Sequence, residues 1–143
     1  MQNSLIVKVK KLSPDAIMPS YTHSFDAGID FHGIETVTLK PGEVGKVKTG
    51  LAIEIPDGYV GLCWDRSGIA TKNKIKVVGG VIDSGFRGEL RLCVINLGSE
   101  PFTFEKGDSV CQILIQKVEH VEIAEAEELS DSERGEKGFG SGK

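Results

Sequence analysis

Glycine and proline turns interrupt this chain roughly every 8 to 12 residues, and between them stand short β-branched or aromatic runs. Leu5–Lys10, Thr36–Leu39, Val44–Ile55 (broken at Gly50), Tyr59–Trp64, Val77–Ile82, Glu89–Asn96, Phe102–Phe104 and Val110–Val118 read as strands. Alternation is clean over Glu89–Asn96, with Leu90, Leu92 and Val94 on one face and Arg91, Cys93 and Ile95 on the other. Punctuation this dense leaves no room for long helices, and only Asp65–Lys72 reads as a short one. Some nine or ten short strands between tight turns predict an all-β sandwich, barrel or jelly roll. The 18 glycines, well above an average share, point the same way.

A chain of 143 residues is long enough for one domain with a real core, and its 39% hydrophobic and 27% charged content is that of a soluble globular protein. No apolar run approaches the roughly 18 residues of a membrane span, and the start lacks the charged-then-apolar form of a leader. The expected location is therefore cytoplasmic, with no membrane partner. Cys63, Cys93 and Cys111 lie far apart inside apolar runs, so buried, reduced thiols are expected. Neither they nor His23, His32 and His120 show zinc-ligand spacing. The net charge of −4 arises wholly in residues 121–143, where seven acids face three bases. Residues 1–120 are thus neutral overall and present no basic face for long nucleic acid.

The stretch with most chemical content is Val77–Leu90, VVGGVIDSGFRGEL. Two apolar runs around Asp83-Ser84-Gly85 predict a β-hairpin, with Asp83 partly buried where a strand enters its turn. A carboxylate so placed is a candidate base, provided something holds it. Gly79 and Gly80 remove side chains, so a flat ligand could read the bare backbone there. The same residues also describe an ordinary tight hairpin with a turn aspartate.

Other segments carry paired readings too. Asp30 stands alone between apolar neighbours in DAGIDF. Arg66-Ser67-Gly68 is either a helix start that holds an anion or a surface turn capped by Ser67. Gln112, in the longest apolar strand, is either an outward strand residue or a positioned amide. The tail, with Phe139 among four glycines, cannot hold structure by itself. It is either a frayed end or an arm that closes over a ligand, with Phe139 stacking and Arg134 meeting phosphate. This divides the chain into a core domain at 1–120 and an arm at 121–143.

Five segments, AGIDF (27–31), DRSGIA (65–70), GGVIDSGFRGEL (79–90), GDSVCQILI (107–115) and RGEKGFGS (134–141), resemble in order and spacing the homotrimeric dUTPases. The resemblance implies a jelly-roll-like, distorted β-barrel subunit, three of which share three active sites. It implies hydrolysis of dUTP to dUMP and pyrophosphate, which keeps uracil out of DNA and supplies dUMP for thymidylate synthesis. On this likeness Asp83 activates the water that attacks the α-phosphorus. The backbone of Gly80, Val81 and Ile82 reads uracil, and Phe86 packs under the deoxyribose. Arg66, Ser67, Gly68 and Gln112 contact phosphates, and Arg134, Phe139, Gly140 and Ser141 belong to the closing arm. Asp30 holds waters of a Mg²⁺ chelated by the triphosphate. The chemistry agrees: Mg²⁺ keeps its waters and binds through substrate phosphates, so a lone outer carboxylate suits it better than a cage.

Five positions depart from the family's usual pattern. Phe86 stands where Tyr is common, Gly85 replaces a frequent second acid, Lys137 replaces a Gly, and Gly142 replaces a Thr. Asp65 stands where Pro is usual, and there it is expected to repel substrate unless Arg66 or Lys72 neutralises it. One alternative is a dCTP deaminase-like enzyme, which shares the subunit fold, but the RGEKGFGS tail resembles the dUTPase type. The alternative from another class is a non-catalytic nucleotide-sensing or regulatory trimer. Against it, every residue expected for catalysis is present.

Overall fold

The computed structural model describes residues 3–141; the expected role of Gly142 lies outside them. The first strands are β1 (Lys8–Lys11), β2 (Ile29–His32), β3 (Val37–Leu39), β4 (Val44–Lys48), β5 (Leu51–Glu54) and β6 (Tyr59–Trp64). A short helix, α1 (Ser67–Asn73), leads to β7 (Ile75–Val77) and β8 (Val81–Ile82). The chain continues through β9 (Arg91–Asn96), β10 (Phe102–Phe104) and β11 (Ser109–Lys117). Every strand pairing is antiparallel. One sheet has the order β2-β11-β6-β8, a second β4-β9-β7, and two ribbons pair β1 with β5 and β3 with β10. The fold is an all-β jelly roll, as expected, but among the described residues its sheets stay open and form no closed barrel.

The core lies between these sheets and contains Leu39, Val47, Leu51, Ile55, Val94, Phe104 and Ile113, all fully buried. The period of two read over β9 holds, since Leu92 and Val94 are buried, Cys93 and Ile95 half-buried and Arg91 exposed. The break at Gly50 separates β4 from β5, where the glycine takes φ +66°. The first strand is shorter than its sequence suggests. Lys8 pairs with Glu54, the last residue of β5, so Leu5 and Ile6 lie beyond the end of the partner strand and are exposed.

Two buried polar side chains fix the corners. Asn96 Nδ2 donates to the Leu39 and Glu100 carbonyls (3.0 and 2.8 Å), and its Oδ1 accepts from the Gly98 N–H (2.8 Å). Thr49 Oγ1 donates to the Leu90 carbonyl (2.7 Å) and accepts from the Leu51 N–H (3.1 Å). Leaving such a buried group unpaired costs about 1–3 kcal/mol, so both corners are firmly set. The second one anchors the end of the segment that carries Asp83.

That segment is not the hairpin its sequence suggests. β8 pairs with β6, Ile82 opposite Gly61 and Val81 opposite Leu62. β9 pairs instead with β4 and β7. The chain therefore leaves the β4-β9-β7 sheet after Val77, joins the other sheet for two residues, and returns. The crossing is made at Gly79 and Gly80, whose φ values of +74° and +108° are strained for any residue with a side chain. Turn residues between apolar runs define a reversal of the chain, but they do not say which strand each run will pair with.

Candidate active site

The expected site residues fall into two clefts and a tail. The first cleft, about 500 Å³, is lined by the Val77–Asp83 segment, Phe86, Glu89–Cys93, Cys63 and Cys111. The second, about 470 Å³, is lined by Thr22, Asp30, Arg66–Ile69, Lys72 and Gln112 with their neighbours. The register explains their separation. Asp30, Gln112 and Trp64 are direct partners across β2, β11 and β6, so their side chains share one face of the sheet. Cys111 precedes Gln112 and Cys63 precedes Trp64, so those thiols point to the other face. Two clefts on opposite faces of one sheet cannot both close on the same small molecule.

In the first cleft, Asp83 sits at the mouth and is exposed, not partly buried as expected. The reason is the absent hairpin: no strand of its own segment folds back across it. A turn follows, closed by the Phe86 N–H donating to the Asp83 carbonyl (3.1 Å). Arg87 clamps this turn. Its guanidinium donates to the Ser84 and Phe86 carbonyls (2.5 and 3.1 Å) and to Glu54 Oε1 (3.0 Å). Lys8, hydrogen-bonded to Glu54, and then Arg87 hold that carboxyl below its usual range. Farther along, Glu89 accepts the Gly50 N–H (3.0 Å). Phe86 is 46% exposed and lies across Gly88, where an added Cβ would come 2.7 Å from the ring.

The floor of this cleft is the edge strand β8. The Cys63 N–H donates to the Gly80 carbonyl (2.8 Å). Because groups alternate along an antiparallel ladder, the Val81 N–H and C=O point away from β6 to the open edge. An edge of that kind can pair with a flat ring that offers its own donor and acceptor, as it can with a peptide. A side chain at Gly80 would be both strained, at φ +108°, and tight, with its Cβ 3.1 Å from the Cys63 carbonyl oxygen. Cys63 and Cys93 are half-buried here, not fully buried as expected, and Cys111 is buried.

In the second cleft, Asp30 is 9% exposed, accepts the Thr22 hydroxyl, and lies 3.6 Å from Arg66 Nε. Ser67 opens α1, but Arg66 occupies the cap position with no side-chain hydrogen bond, so the capping role considered for Ser67 is not realised. Gln112 is a positioned amide: its Nε2 donates to the Asp65 carbonyl (2.8 Å). It fits only because residue 28 is glycine, where a Cβ would fall 2.2 Å from Gln112 Oε1. With Arg66 and Lys72 beside Ser67 and Gly68, this cleft offers cations and small polar donors to an anion.

Asp65 departs from expectation. Its carboxylate does not face the second cleft but accepts from the Val77 N–H (2.6 Å) and from Lys76 Nζ (2.9 Å). Burial pushes its carboxyl up, but hydrogen bonds from Lys76 and Val77 and the charge of Lys76 outweigh that and hold it below the usual value. The repulsion expected from it is cancelled by Lys76, eleven residues on, and not by Arg66 or Lys72.

The tail residues Arg134, Gly140 and Ser141 are exposed and Phe139 is fully so; none lines either cleft. Arg134 Nε donates to the Lys137 carbonyl (2.7 Å) within the tail itself. Sequence reasoning missed Thr22, Glu54, Lys76, Arg87 and Glu89. Thr22 lies in a loop with no distinguishing pattern, and each of the others has a partner distant in sequence: Asp65 for Lys76, Glu54 for Arg87, Gly50 for Glu89 and Lys8 for Glu54.

The family model described as dUTPase matches residues 14–142. Relatives named deoxyuridine 5'-triphosphate nucleotidohydrolase include one from Clostridioides difficile, 44% identical over 137 residues and covering 94% of this chain and 96% of the relative. Another, from Nautilia profundicola, is 46% identical with the same coverage. Among solved structures, the Staphylococcus bacteriophage 80alpha dUTPase with dUpNHpp superposes with a TM-score of 0.90 at 35% identity, covering 96% of this chain and 98% of that one. A mutant dUTPase from phage phi11 of S. aureus, described with a structural Mg(II) ion, gives 0.82 at 30% identity, covering 88% and 99%. The likeness in sequence runs the length of both clefts and into the tail, and the likeness in fold accompanies it: this chain belongs to the dUTPase family.

Proposed function

We propose that this protein hydrolyses dUTP to dUMP and pyrophosphate, at sites built between subunits of a homotrimer. The observation that carries the reading is the pair of clefts on opposite faces of one sheet. One offers a free backbone edge, a carboxylate and a ring; the other offers cations and an amide. A nucleoside triphosphate needs both sets, and one chain cannot bring them together, so the first cleft of one subunit must face the second of a neighbour. The exposed tail, residues 121–141 of the described chain, supplies the closing arm.

In this reading the Val81 edge, flanked by Gly80 and Ile82, pairs with uracil. Fixed backbone donors and acceptors reject cytosine, whose pairing edge is reversed, and such mismatches give discrimination of about 10⁴ or more. Phe86 supports the deoxyribose. Arg66, Ser67, Gly68 and Gln112 hold the phosphates, and Arg134, Phe139, Gly140 and Ser141 cover them. Asp83 takes a proton from the attacking water as its oxygen bonds to the α-phosphorus and pyrophosphate leaves. The donor set also fits Mg²⁺: of the two carboxylates at the wall of the anion cleft, Asp26 is engaged by His23 and Asp30 stands beside Arg66, and hard oxygen donors beside a triphosphate suit that ion. When bound, Mg²⁺ supplies charge neutralisation of the phosphates. Arg66, now paired with Asp30, must turn toward the phosphates.

The test is pyrophosphate release with Mg²⁺ from dUTP against UTP and the other dNTPs. Turnover confined to dUTP is expected. Ammonia and dUTP from dCTP would point to a deaminase, and dUTP binding without release to a nucleotide sensor. A second expectation concerns the ring. Phe86→Tyr should be nearly neutral, whereas Phe86→Ala should weaken dUTP binding about tenfold and relax rejection of UTP. An intact dUTP-to-UTP preference in Phe86→Ala would show that the ring does not read the sugar.

A further inference from the structure

Helix α1 carries Ser67 and Gly68, two of the residues assigned to phosphate, and Arg66 stands at its start, yet the helix has little of its own to hold it. It is seven residues long, none of them fully buried, its start lacks a side-chain cap, and Ile69 alone is a half-buried apolar side chain packed against the core. One such contact leaves the orientation of the helix to be set largely by what holds its ends. At the far end Lys74 adopts a left-handed conformation (φ 57°) and its N–H donates to the Ala70 carbonyl. At the near end, between β6 and Arg66, stands Asp65, which is held from three directions. Its carbonyl accepts from Gln112 on β11, and its carboxylate accepts from the Val77 N–H and the Lys76 ammonium at β7.

These contacts join both clefts. Val77 opens the segment that runs through Gly79 and Gly80 to Asp83, and Arg66 follows Asp65 into the anion cleft. We propose that Asp65 is a positioning residue that locks the phosphate-binding segment Arg66–Gly68 to the β7 end of the Val77–Asp83 segment. It touches no substrate and acts through Arg66 and its neighbours. The lowered carboxyl of Asp65 fits a group that works as an anion. Its side chain is only 21% exposed, so the pair with Lys76 is partly shielded from solvent.

The inference rests on the proposed dUTP hydrolysis, and two kinds of readout separate its failure from the failure of that reading. The first is kinetic. Asp65→Ala should raise KM for dUTP about tenfold and leave kcat within about twofold, because phosphate contacts are displaced while Asp83 is not. Asp65→Asn keeps an acceptor for the Val77 N–H but loses the ion pair, and should fall between. Lys76→Met should match Asp65→Asn, and the double variant should be no worse than either alone, because both remove the same pair. A merely structural role would lower the folded fraction, and so the apparent kcat, at unchanged KM. That result would overturn the proposal, as would a lowered KM in Asp65→Ala.

The second readout needs no nucleotide and holds even if dUTP is not turned over. Amide hydrogen exchange in Asp65→Ala should quicken at Val77 and also at the hydrogen-bonded amides of α1 from Ala70, which donates to the Arg66 carbonyl, to Lys74, with the rest of the protein unchanged. Faster exchange at Val77 alone would mean that Asp65 holds β7 but not the phosphate segment, and the proposal would be wrong.

Discussion

Asp83→Asn is expected to lower dUTP turnover about 10² to 10⁴-fold while nucleotide binding persists. The substitution keeps the shape of the side chain and removes its ability to take a proton. It should also leave the segment in place. The hydrogen bonds that hold this turn run through Arg87, the Phe86 N–H and Glu89, not through the Asp83 carboxylate. The loss should therefore appear in kcat, with binding of a non-hydrolysable dUTP analogue within a few-fold of the parent. Near-normal turnover would remove Asp83 from the mechanism.

The strands were legible because Gly and Pro mark their ends. Tyr59–Trp64 was bounded as it stands, and Gly50 divides two strands as read. Their partners were not legible. Val81-Ile82 pairs with Gly61-Leu62 some twenty residues upstream, and nothing local to Val77–Leu90 specifies that. The same limit explains the exposure of Asp83. A hairpin would have covered it, whereas a segment that crosses between two sheets leaves it at a cleft mouth. The partner of Asp65 is hidden for a related reason: the charges close in sequence are Arg66 and Lys72, whereas Lys76 reaches it only because α1 turns the chain back. The sequence leaves Gln112 two roles, and its hydrogen bond to the Asp65 carbonyl, with the room left by Gly28, decides between them. The two groups of site residues could be named from motifs, but their placement on opposite faces of a sheet required the register of β2, β11 and β6.

That placement makes a mixing experiment decisive. Asp83→Asn with its tail intact, and a chain truncated before Arg134 that keeps Asp83, should each be inactive alone. Unfolded together and refolded in equal amounts, they should assemble at random into mixed trimers. A working site needs its first cleft from a truncated chain, with probability about one half, and its arm from an Asp83→Asn chain, again about one half. Roughly a quarter of sites should then recover activity from a mixture of two inactive proteins. The tail supports this outcome: Phe139 is fully exposed and touches neither cleft of its own subunit, and the tail's polar, glycine-rich composition gives it no core to join. If arm and base came instead from the same chain, every site in every trimer would carry one defect or the other. Activity indistinguishable from zero, in mixed trimers verified by mass, would therefore exclude the shared site, whereas recovery near a quarter requires that Asp83 and the arm that closes over it belong to different subunits.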